Sequence, residues 1–431
     1  MTMQRPLGSM ELLWLLTGQF EPASVVSVLR LENGPAPEIL RRALRQLQRE
    51  QPLLNVRIAM QNKRFYFEEA ADAPPIPLQV EARQNETQWQ PIATAALNTS
   101  VAIDAAPLMR CIYLYQAGKN KASDLLFIYH HAIMDAVSGV QFYHRLFSLC
   151  AGEDVGLSDE RCTIQPAADQ LLPPDMQGLK RYGRILRYMA DQLTDELRYR
   201  RQIGKGRVAP LHSATARNQI VMRRLDKAST QALVRRSRQE RVSMNSVVST
   251  AMLIAVHKHL YQNQPMPLRP LAFANLRPYL APPVANSYLG CYVTMLRHTV
   301  FCHKDGDFWE TTQRFQAILS RSSKRGEKFV ALLMSAYLVK AAIRLQSFRV
   351  GTTAVSYPGP LNLKPAYGDI AITDIHAFIS NNRLGPEFTA FAKILFGELS
   401  WDFLYLDADM DQAMAETIAD EVTHILQINA S

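Results

Sequence analysis

The chain has 431 residues, of which 48% are hydrophobic, so it can bury a large core and form two lobes. Its most apolar long run, 329–343, is shorter than a bilayer span and contains Lys340. The first residues lack the apolar core of a signal peptide. These features exclude a membrane-spanning protein, and the cysteine usage favours a cytoplasmic one.

The net charge and the cysteines indicate what kind of partner the protein has and whether its thiols are reduced. A net charge of +9 indicates an acidic partner, but the basic residues form no recognisable nucleic-acid motif, so nucleic acid is the least favoured partner. The five cysteines are scattered and include no C-x-x-C pair, which favours reduced thiols over a disulfide framework.

Apolar periodicity predicts mixed helices and strands in the first part of the chain. We predict helices at 9–16, 35–51 and 88–97, and strands at 25–31, 65–67, 76–80, 107–115 and 124–129. Pro52 ends the second helix, and the last two strands are expected to pair as a hairpin. A helix at 138–150 follows.

The most informative stretch is the buried-strand pattern that ends at Tyr129 and runs into His130, His131 and Asp135. Side chains at a strand end can face a cavity, and a neutral imidazole suits a general base near neutral pH. Two alternatives remain at this point. One is an ordinary hydrogen-bonded histidine, and the other is a metal site of His131, Asp135 and His144, which no H-E-x-x-H or cysteine cluster supports.

Composition changes between 151 and 217, where prolines, glycines and a strongly basic helix indicate a crossover between lobes. Within 179–201 an apolar stripe is flanked by arginines, and its members are Leu179, Ile185, Leu186, Met189, Leu193 and Leu197. We expect this stripe to face the core. The alternative is docking on an acidic carrier protein or an anionic membrane.

The second half again mixes strands and helices. We predict strands at 220–225, 271–278, 293–296, 389–396 and 398–406, a strand and turn at 353–360, and helices at 227–240, 246–260, 307–319, 324–348 and 410–426. Arg277 lies beside an apolar strand, where it either forms a buried ion pair with a carboxylate or reaches to water.

The pattern His-His-x-x-x-Asp after an apolar strand resembles the active-site signature of the chloramphenicol acetyltransferase-like superfamily. This superfamily includes nonribosomal peptide condensation domains, polyketide-associated acyltransferases similar to phthiocerol dimycocerosyl transferase, wax ester synthases and plant BAHD enzymes. Further similar stretches follow in family order: 51–58, 275–278, 289–291 and 356–359. Ala136, Gln51, Cys291 and Tyr357 depart from the usual Gly, His, Asn and Asn, and the absence of Asp-Phe-Gly-Trp-Gly counts against the BAHD branch.

The resemblance implies an α/β (α+β) fold of two lobes, each a mixed sheet flanked by helices, with the active site and a tunnel at their interface. We place the lobes at 1–170 and 218–431, with the basic crossover at 171–217. His131 is then the general base, and an Asp135–Arg277 salt bridge fixes its loop. His130 is expected to be structural and bonded to the backbone, while Ser138, Asn275 and Ser356 are candidate substrate or oxyanion donors.

The activity implied is acyl transfer from acyl-CoA or an acyl carrier protein to a hydroxyl, which forms an ester in lipid or natural product biosynthesis. An amide-forming stand-alone condensation enzyme and an inactive carrier-protein binding module are the alternatives. We expect the thioester to be a co-substrate and no metal or other cofactor to be needed. The expected partners are an acidic carrier protein and a small alcohol or amine, with peripheral membrane contact as an addition.

Overall fold

The structure is a computed structural model that describes residues 4–153, 163–203, 216–304, 306–346 and 349–430. Its strands are β1 (Gln4–Pro6), β2 (Val25–Glu32), β3 (Val56–Gln61), β4 (Arg64–Glu69), β5 (Leu78–Ala82), β6 (Met109–Tyr115), β7 (Ala122–Tyr129), β8 (Asn218–Leu225), β9 (Met266–Leu268), β10 (Pro270–Asn275), β11 (Val293–Arg297), β12 (Val300–Cys302), β13 (Thr353–Ser356), β14 (Ala366–Tyr367), β15 (Ile370–Ile379), β16 (Phe388–Leu395) and β17 (Glu398–Leu406).

The helices alternate with these strands. They are α1 (Ser9–Phe20), α2 (Pro37–Glu50), α3 (Trp89–Leu97), α4 (Ala136–Cys150), α5 (Gly178–Ile203), α6 (Lys227–Gln239), α7 (Met244–His259), α8 (Phe308–Lys324), α9 (Glu327–Leu345) and α10 (Gln412–Ile428). None of the helices in the described part of the chain combines the length and hydropathy that a bilayer-spanning helix requires.

Contacts divide the chain into two compact units. The first unit comprises Met1–Leu171, Arg277–Val293 and Leu361–Ser380, and the second comprises Leu172–Leu276, Thr294–Pro360 and Asn381–Ser431. Each unit contains a six-stranded sheet with helices against it, so the predicted α/β fold of mixed sheets flanked by helices is confirmed.

The sheet of the first unit has the strand order β14-β15-β2-β7-β6-β5. β7 lies inside it and pairs antiparallel with both neighbours, with Tyr129 opposite Val25 on β2 and Met109 on β6. Almost every β7 side chain is buried, as the apolar run of its sequence requires. The predicted hairpin of β6 and β7 is present, and it sets the end of β7 in the interior of the unit.

The sheet of the second unit has the order β11-β10-β13-β16-β17-β8. β10, β13 and β16 run parallel, and β17 and β8 continue the sheet antiparallel. α7 is buried along nearly its whole length, and the helix begins where the Ser243 side chain accepts a hydrogen bond from the backbone of Ser246. Apolar residues of α7, α10 and the sheet form its core.

The units differ from the sequence-based division in two segments. The C-terminal lobe at 218–431 was taken as continuous, whereas Arg277–Val293 and Leu361–Ser380 belong to the first unit. The later segment belongs to the first unit because it contains β15, which pairs antiparallel with β2 along eight register positions from Ala371 to Ile379. No strand was predicted there. The crossover at 171–217 is also not separate, because its described residues after Leu171 belong to the second unit.

Two helices depart from expectation. The helix predicted at 324–348 begins later, because Gly326 adopts a left-handed conformation with φ of 68° and separates α8 from α9. The stripe on α5 was expected to face the core, and this prediction is wrong. Leu179, Leu186 and Leu193 are 87%, 71% and 61% exposed, and the buried side chains of α5 are Tyr188 and Ile203.

Candidate active site

His131 lies in the turn between β7 and α4 of the first unit. β7 ends at Tyr129, and α4 begins at Ala136, so the two histidines stand at the point where the chain leaves the sheet. His131 is only 7% exposed. Burial lowers the pKa of His131 from its ordinary value, and the charge of nearby Asp135 opposes that effect without cancelling it. The imidazole is therefore neutral at physiological pH, as a general base requires.

The indole of Trp14 stacks on the His131 imidazole. The ring centroids are 4.2 Å apart and the planes differ by 15°. Trp14 belongs to α1, whose start is fixed by a buried ion pair of 2.6 Å between Arg5 and Glu11 and by a hydrogen bond from the Ser9 backbone to Asp169. The stack thus holds the ring of His131 in one plane from an anchored helix.

Trp14 was not identified from the sequence. It stands in an apolar helical pattern, where an aromatic residue normally indicates core packing. The only local signal was its place in a helix otherwise rich in leucine, and that signal does not identify a partner more than a hundred positions away.

Asp135 is the N-cap of α4 and is held by several donors. Its Oδ1 accepts hydrogen bonds from the backbone and the hydroxyl of Ser138, each at 2.9 Å. Its Oδ2 accepts from the backbone N–H of Tyr292 at 2.9 Å and from Arg277 at 3.0 Å. The carboxylate is 4% exposed and fully engaged, so its geometry suits fixing the turn rather than relaying a proton.

Arg277 supplies the buried charge that matches Asp135. The predicted ion pair between the two is present, and both side chains are almost entirely buried. Arg277 also donates to the backbone carbonyls of Ala285 and Tyr288, both at 3.1 Å, and its guanidinium lies over the ring of Tyr292 at 4.5 Å. A guanidinium cannot lose its charge, so burying it requires these acceptors.

His130 is turned toward the backbone, as expected of a structural residue. Its Nδ1 accepts a hydrogen bond from the Ala132 N–H at 3.2 Å. Burial and the neighbouring His131 lower the pKa of His130 to about 4, so this ring stays neutral. With Nδ1 accepting, the ring proton is on Nε2.

The three candidate donors differ in their surroundings. Ser138 is fully buried and its hydroxyl bonds Asp135, so it is committed to the start of α4. Asn275 and Ser356 belong to the second unit. They end β10 and β13, which are neighbouring parallel strands with Ala272 opposite Val355. Both therefore stand at the carboxyl end of a parallel sheet, where ligand-binding residues of open sheets commonly lie.

Residues that depart from the superfamily pattern are structurally accommodated. Gln51 is buried and donates from Nε2 to the carbonyl of Ser287 at 3.2 Å. Cys291 is also buried, and burial raises the pKa of its thiol well above the ordinary value, so it is not a thiolate nucleophile. Ala136 is exposed at the first position of α4. Tyr357 is partly buried against the core of the second unit.

The metal alternative gains no support from the geometry. Asp135 is paired with Arg277, and Nδ1 of His144 bonds the hydroxyl of Tyr367 at 2.8 Å. Within the described ranges, no group of three His, Cys, Asp or Glu side chains is placed to hold a metal ion. Cys111, Cys150, Cys291 and Cys302 are free thiols, and Cys162 lies outside the described residues.

Comparison with protein families gives one match. Residues 215–391 match the family described as phthiocerol/phthiodiolone dimycocerosyl transferase C-terminus. This segment contains Arg277, Asn275 and Ser356. No curated protein matches the chain.

Solved structures give a match over the whole chain. Trichothecene 15-O-acetyltransferase from Fusarium sporotrichioides is 11% identical, with a TM-score of 0.75, covering 99% of this chain and 96% of its own. The first condensation domain of the calcium-dependent antibiotic synthetase is 15% identical, with a TM-score of 0.75 and coverage of 100% and 97%. Polyketide synthase associated protein 5 from Mycobacterium tuberculosis is 16% identical, with a TM-score of 0.65 and coverage of 98% of both chains. At these identities the likeness establishes the fold.

Proposed function

We propose that this chain is an acyltransferase of the chloramphenicol acetyltransferase-like superfamily that transfers an acyl group from a thioester to a hydroxyl and so forms an ester. The observation that carries the proposal is the neutral, buried His131, held between the Trp14 ring and a turn locked by Asp135 and Arg277. The lowered pKa keeps the imidazole unprotonated and the stack fixes its orientation, so the ring is able to accept a proton from an alcohol.

His131 is the general base in this mechanism. It accepts the proton of the acceptor hydroxyl as that oxygen attacks the thioester carbonyl carbon. The tetrahedral intermediate then expels the sulfur, the C–S bond breaks, and the imidazolium returns its proton to the leaving thiolate. Positioned base catalysis of this kind is worth about a hundred- to ten-thousandfold in rate. The proposed reaction uses the thioester as its co-substrate, and none of its steps uses another cofactor or a metal.

Asp135 and Arg277 act on the turn rather than on the substrate. With its oxygens accepting from Ser138, Tyr292 and Arg277, the Asp135 carboxylate fixes the start of α4 and thereby the backbone that carries His131. Asn275 or Ser356 is the proposed donor to the developing oxyanion, since each ends a parallel strand with a polar side chain.

The ester product is preferred over the amide because of the activities for which the similar proteins are named. The matched family is a dimycocerosyl transferase, and one similar structure is an O-acetyltransferase. The similar condensation domain belongs to an antibiotic synthetase, so an amine acceptor is the second candidate. The donor is acyl-CoA or an acyl carrier protein, both anionic, in keeping with the net charge of +9. Lipid or natural product biosynthesis is the proposed setting.

The proposal is tested by release of free thiol from acyl-CoA and acyl-carrier thioesters offered with alcohols and amines. We expect acceptor-dependent release by wild type that falls at least about a hundredfold in His131→Ala. The exposed His303 gives the matched control, since His303→Ala removes a histidine outside the site. Product analysis separates ester from amide.

Two results would contradict the proposal. One is release that His131→Ala retains while its circular dichroism spectrum matches wild type. The other is silence of both proteins toward every thioester while an acyl carrier protein still binds, which is the behaviour of an inactive binding module.

A further inference from the structure

The outward face of α5 carries an apolar stripe, here called the α5 stripe, whose members recur every three or four residues. They are Leu179, Tyr182, Leu186, Met189, Leu193 and Leu197. Their exposed fractions lie between 38% for Met189 and 87% for Leu179. A contiguous row of large exposed apolar side chains is uncommon in monomeric proteins and marks an interaction site.

The opposite face of α5 packs against the rest of the second unit, so the α5 stripe faces solvent. Tyr188 and Ile203 are buried, and Asp195 accepts from the Thr299 hydroxyl at 2.8 Å. The guanidinium of Arg269 lies 3.4 Å from the centre of the Tyr199 ring. These anchors recur with the same helical period as the stripe and occupy a different face of the helix.

The flank of the α5 stripe is basic. Lys180, Arg187, Arg198 and Arg201 are exposed and, at 3.6 residues per turn, fall along one side of the stripe. The acidic residues of α5 are matched by arginines of the same unit, with Arg269 pairing Asp195 and Glu196 and Arg325 pairing Asp191. The face presented to solvent is therefore apolar along its middle and positively charged along one edge.

A second helix of the same unit has the same character. The later half of α9 exposes Tyr337, Leu338 and Leu345 at 67%, 44% and 62%, together with the cations Lys340 and Arg344. The sequence from Lys328 to Leu345 contains no acidic residue. Two outward apolar faces, each edged by cations, indicate a common type of partner.

We propose that the α5 stripe binds an anionic phospholipid surface, with its leucines in the headgroup and acyl boundary and its flanking cations on lipid phosphates. The face spans about 28 Å at roughly 1.5 Å per residue, enough for a helix lying in the interface plane. This inference is independent of the proposed acyl transfer, because it rests on a helix that the mechanism does not use.

Charge favours lipid over a second copy of the chain. An antiparallel pair of α5 helices would place the same flank of each helix side by side, and arginine would face arginine. A bilayer instead supplies a continuous negative surface for the cations and a fluid apolar layer for a convex row of leucines.

The test is co-sedimentation of the full chain with two kinds of vesicle, phosphatidylcholine alone and phosphatidylcholine with phosphatidylglycerol. We expect binding to the anionic vesicles that weakens as salt rises. Leu186→Gln with Leu193→Gln should weaken that binding at least about tenfold, and Arg187→Gln or Arg198→Gln about fivefold each. Arg235→Gln with Arg238→Gln removes two exposed cations of α6 and serves as the matched control with unchanged binding.

The changed side chains are exposed, so the variants should keep the wild-type circular dichroism spectrum and thiol-release activity. The proposal is overturned if wild type fails to bind anionic vesicles, or if the leucine variant binds as wild type does. It is likewise overturned if the stripe variants abolish only self-association in sedimentation or only binding of an acidic carrier protein.

Discussion

The turn around His131 and the outward face of α5 use arginine in opposite ways. In the turn, Arg277 is fully buried, pairs with the Asp135 carboxylate and donates to backbone carbonyls. On α5, Arg187 is 66% exposed at the side chain and lies 4.0 Å from Asp191. The same residue type thus locks a structure in one region and remains available for a partner in the other.

The difference follows from solvation. A buried guanidinium loses its hydrogen bonds to water, and only well-placed carboxylate and carbonyl oxygens can replace them. Its position is therefore tightly determined. An exposed one keeps its water, gains little from a nearby carboxylate and moves freely. Removal of each arginine should therefore have very different consequences.

The largest expected effect is on stability. Arg277→Met should lower the free energy of unfolding by about 3–5 kcal/mol, because it leaves the Asp135 carboxylate buried without its partner. Arg187→Met should change it by less than about 0.5 kcal/mol. Urea denaturation followed by circular dichroism measures both. Equal losses in the two variants would show that the buried pair does not have this role.

The sequence predicted the turn better than it predicted α5, for a physical reason. A buried strand that runs into His130 and His131 is a local pattern that the residues themselves show. The pairing of Asp135 with Arg277 was expected from the superfamily resemblance, because the residues alone left Arg277 either paired with a carboxylate or reaching to water. Periodicity on α5 revealed an apolar stripe but not the direction it faces. That direction depends on Asp195 and its partners on the other side, which are tertiary contacts.

β15 was missed for a similar reason. Its register shifts between Ile372 and Asp374, which breaks the alternation of apolar and polar residues that predicts a strand. Its partner β2 lies far away in the chain, so no hairpin signal marks it. The assignment of Leu361–Ser380 to the first unit could not be predicted without that pairing.

A smaller effect is expected on catalysis, where loss of an aromatic side chain should lower kcat in the turn around His131 but not on α5. Trp14→Ala should lower the kcat of acyl transfer about tenfold, because the His131 ring loses the surface that orients it. Trp14→Phe keeps an aromatic face and should restore most of the activity. Tyr182→Ala removes an exposed ring of α5 and is the matched control. Steady-state kinetics with the best thioester and acceptor would make the comparison.

Because Trp14 is expected to orient the His131 ring, its removal should affect kcat and KM differently. We expect kcat to fall more than KM changes, with an unaltered circular dichroism spectrum. A loss that Trp14→Phe does not reverse, or an equal loss in Tyr182→Ala, would remove the stack from the mechanism.

The smallest expected difference is between the pH dependence of acyl transfer and that of vesicle binding. Burial lowers the pKa of His131, so the neutral base persists below the pH at which a free histidine is half protonated. The kcat/KM of acyl transfer should be constant above that pKa and fall below it, with its midpoint below about pH 6.5. α5 contains no histidine, so binding of the α5 stripe to anionic vesicles should stay constant over the same interval. A midpoint at or above about pH 6.5 would contradict a buried neutral base, because an exposed histidine titrates there.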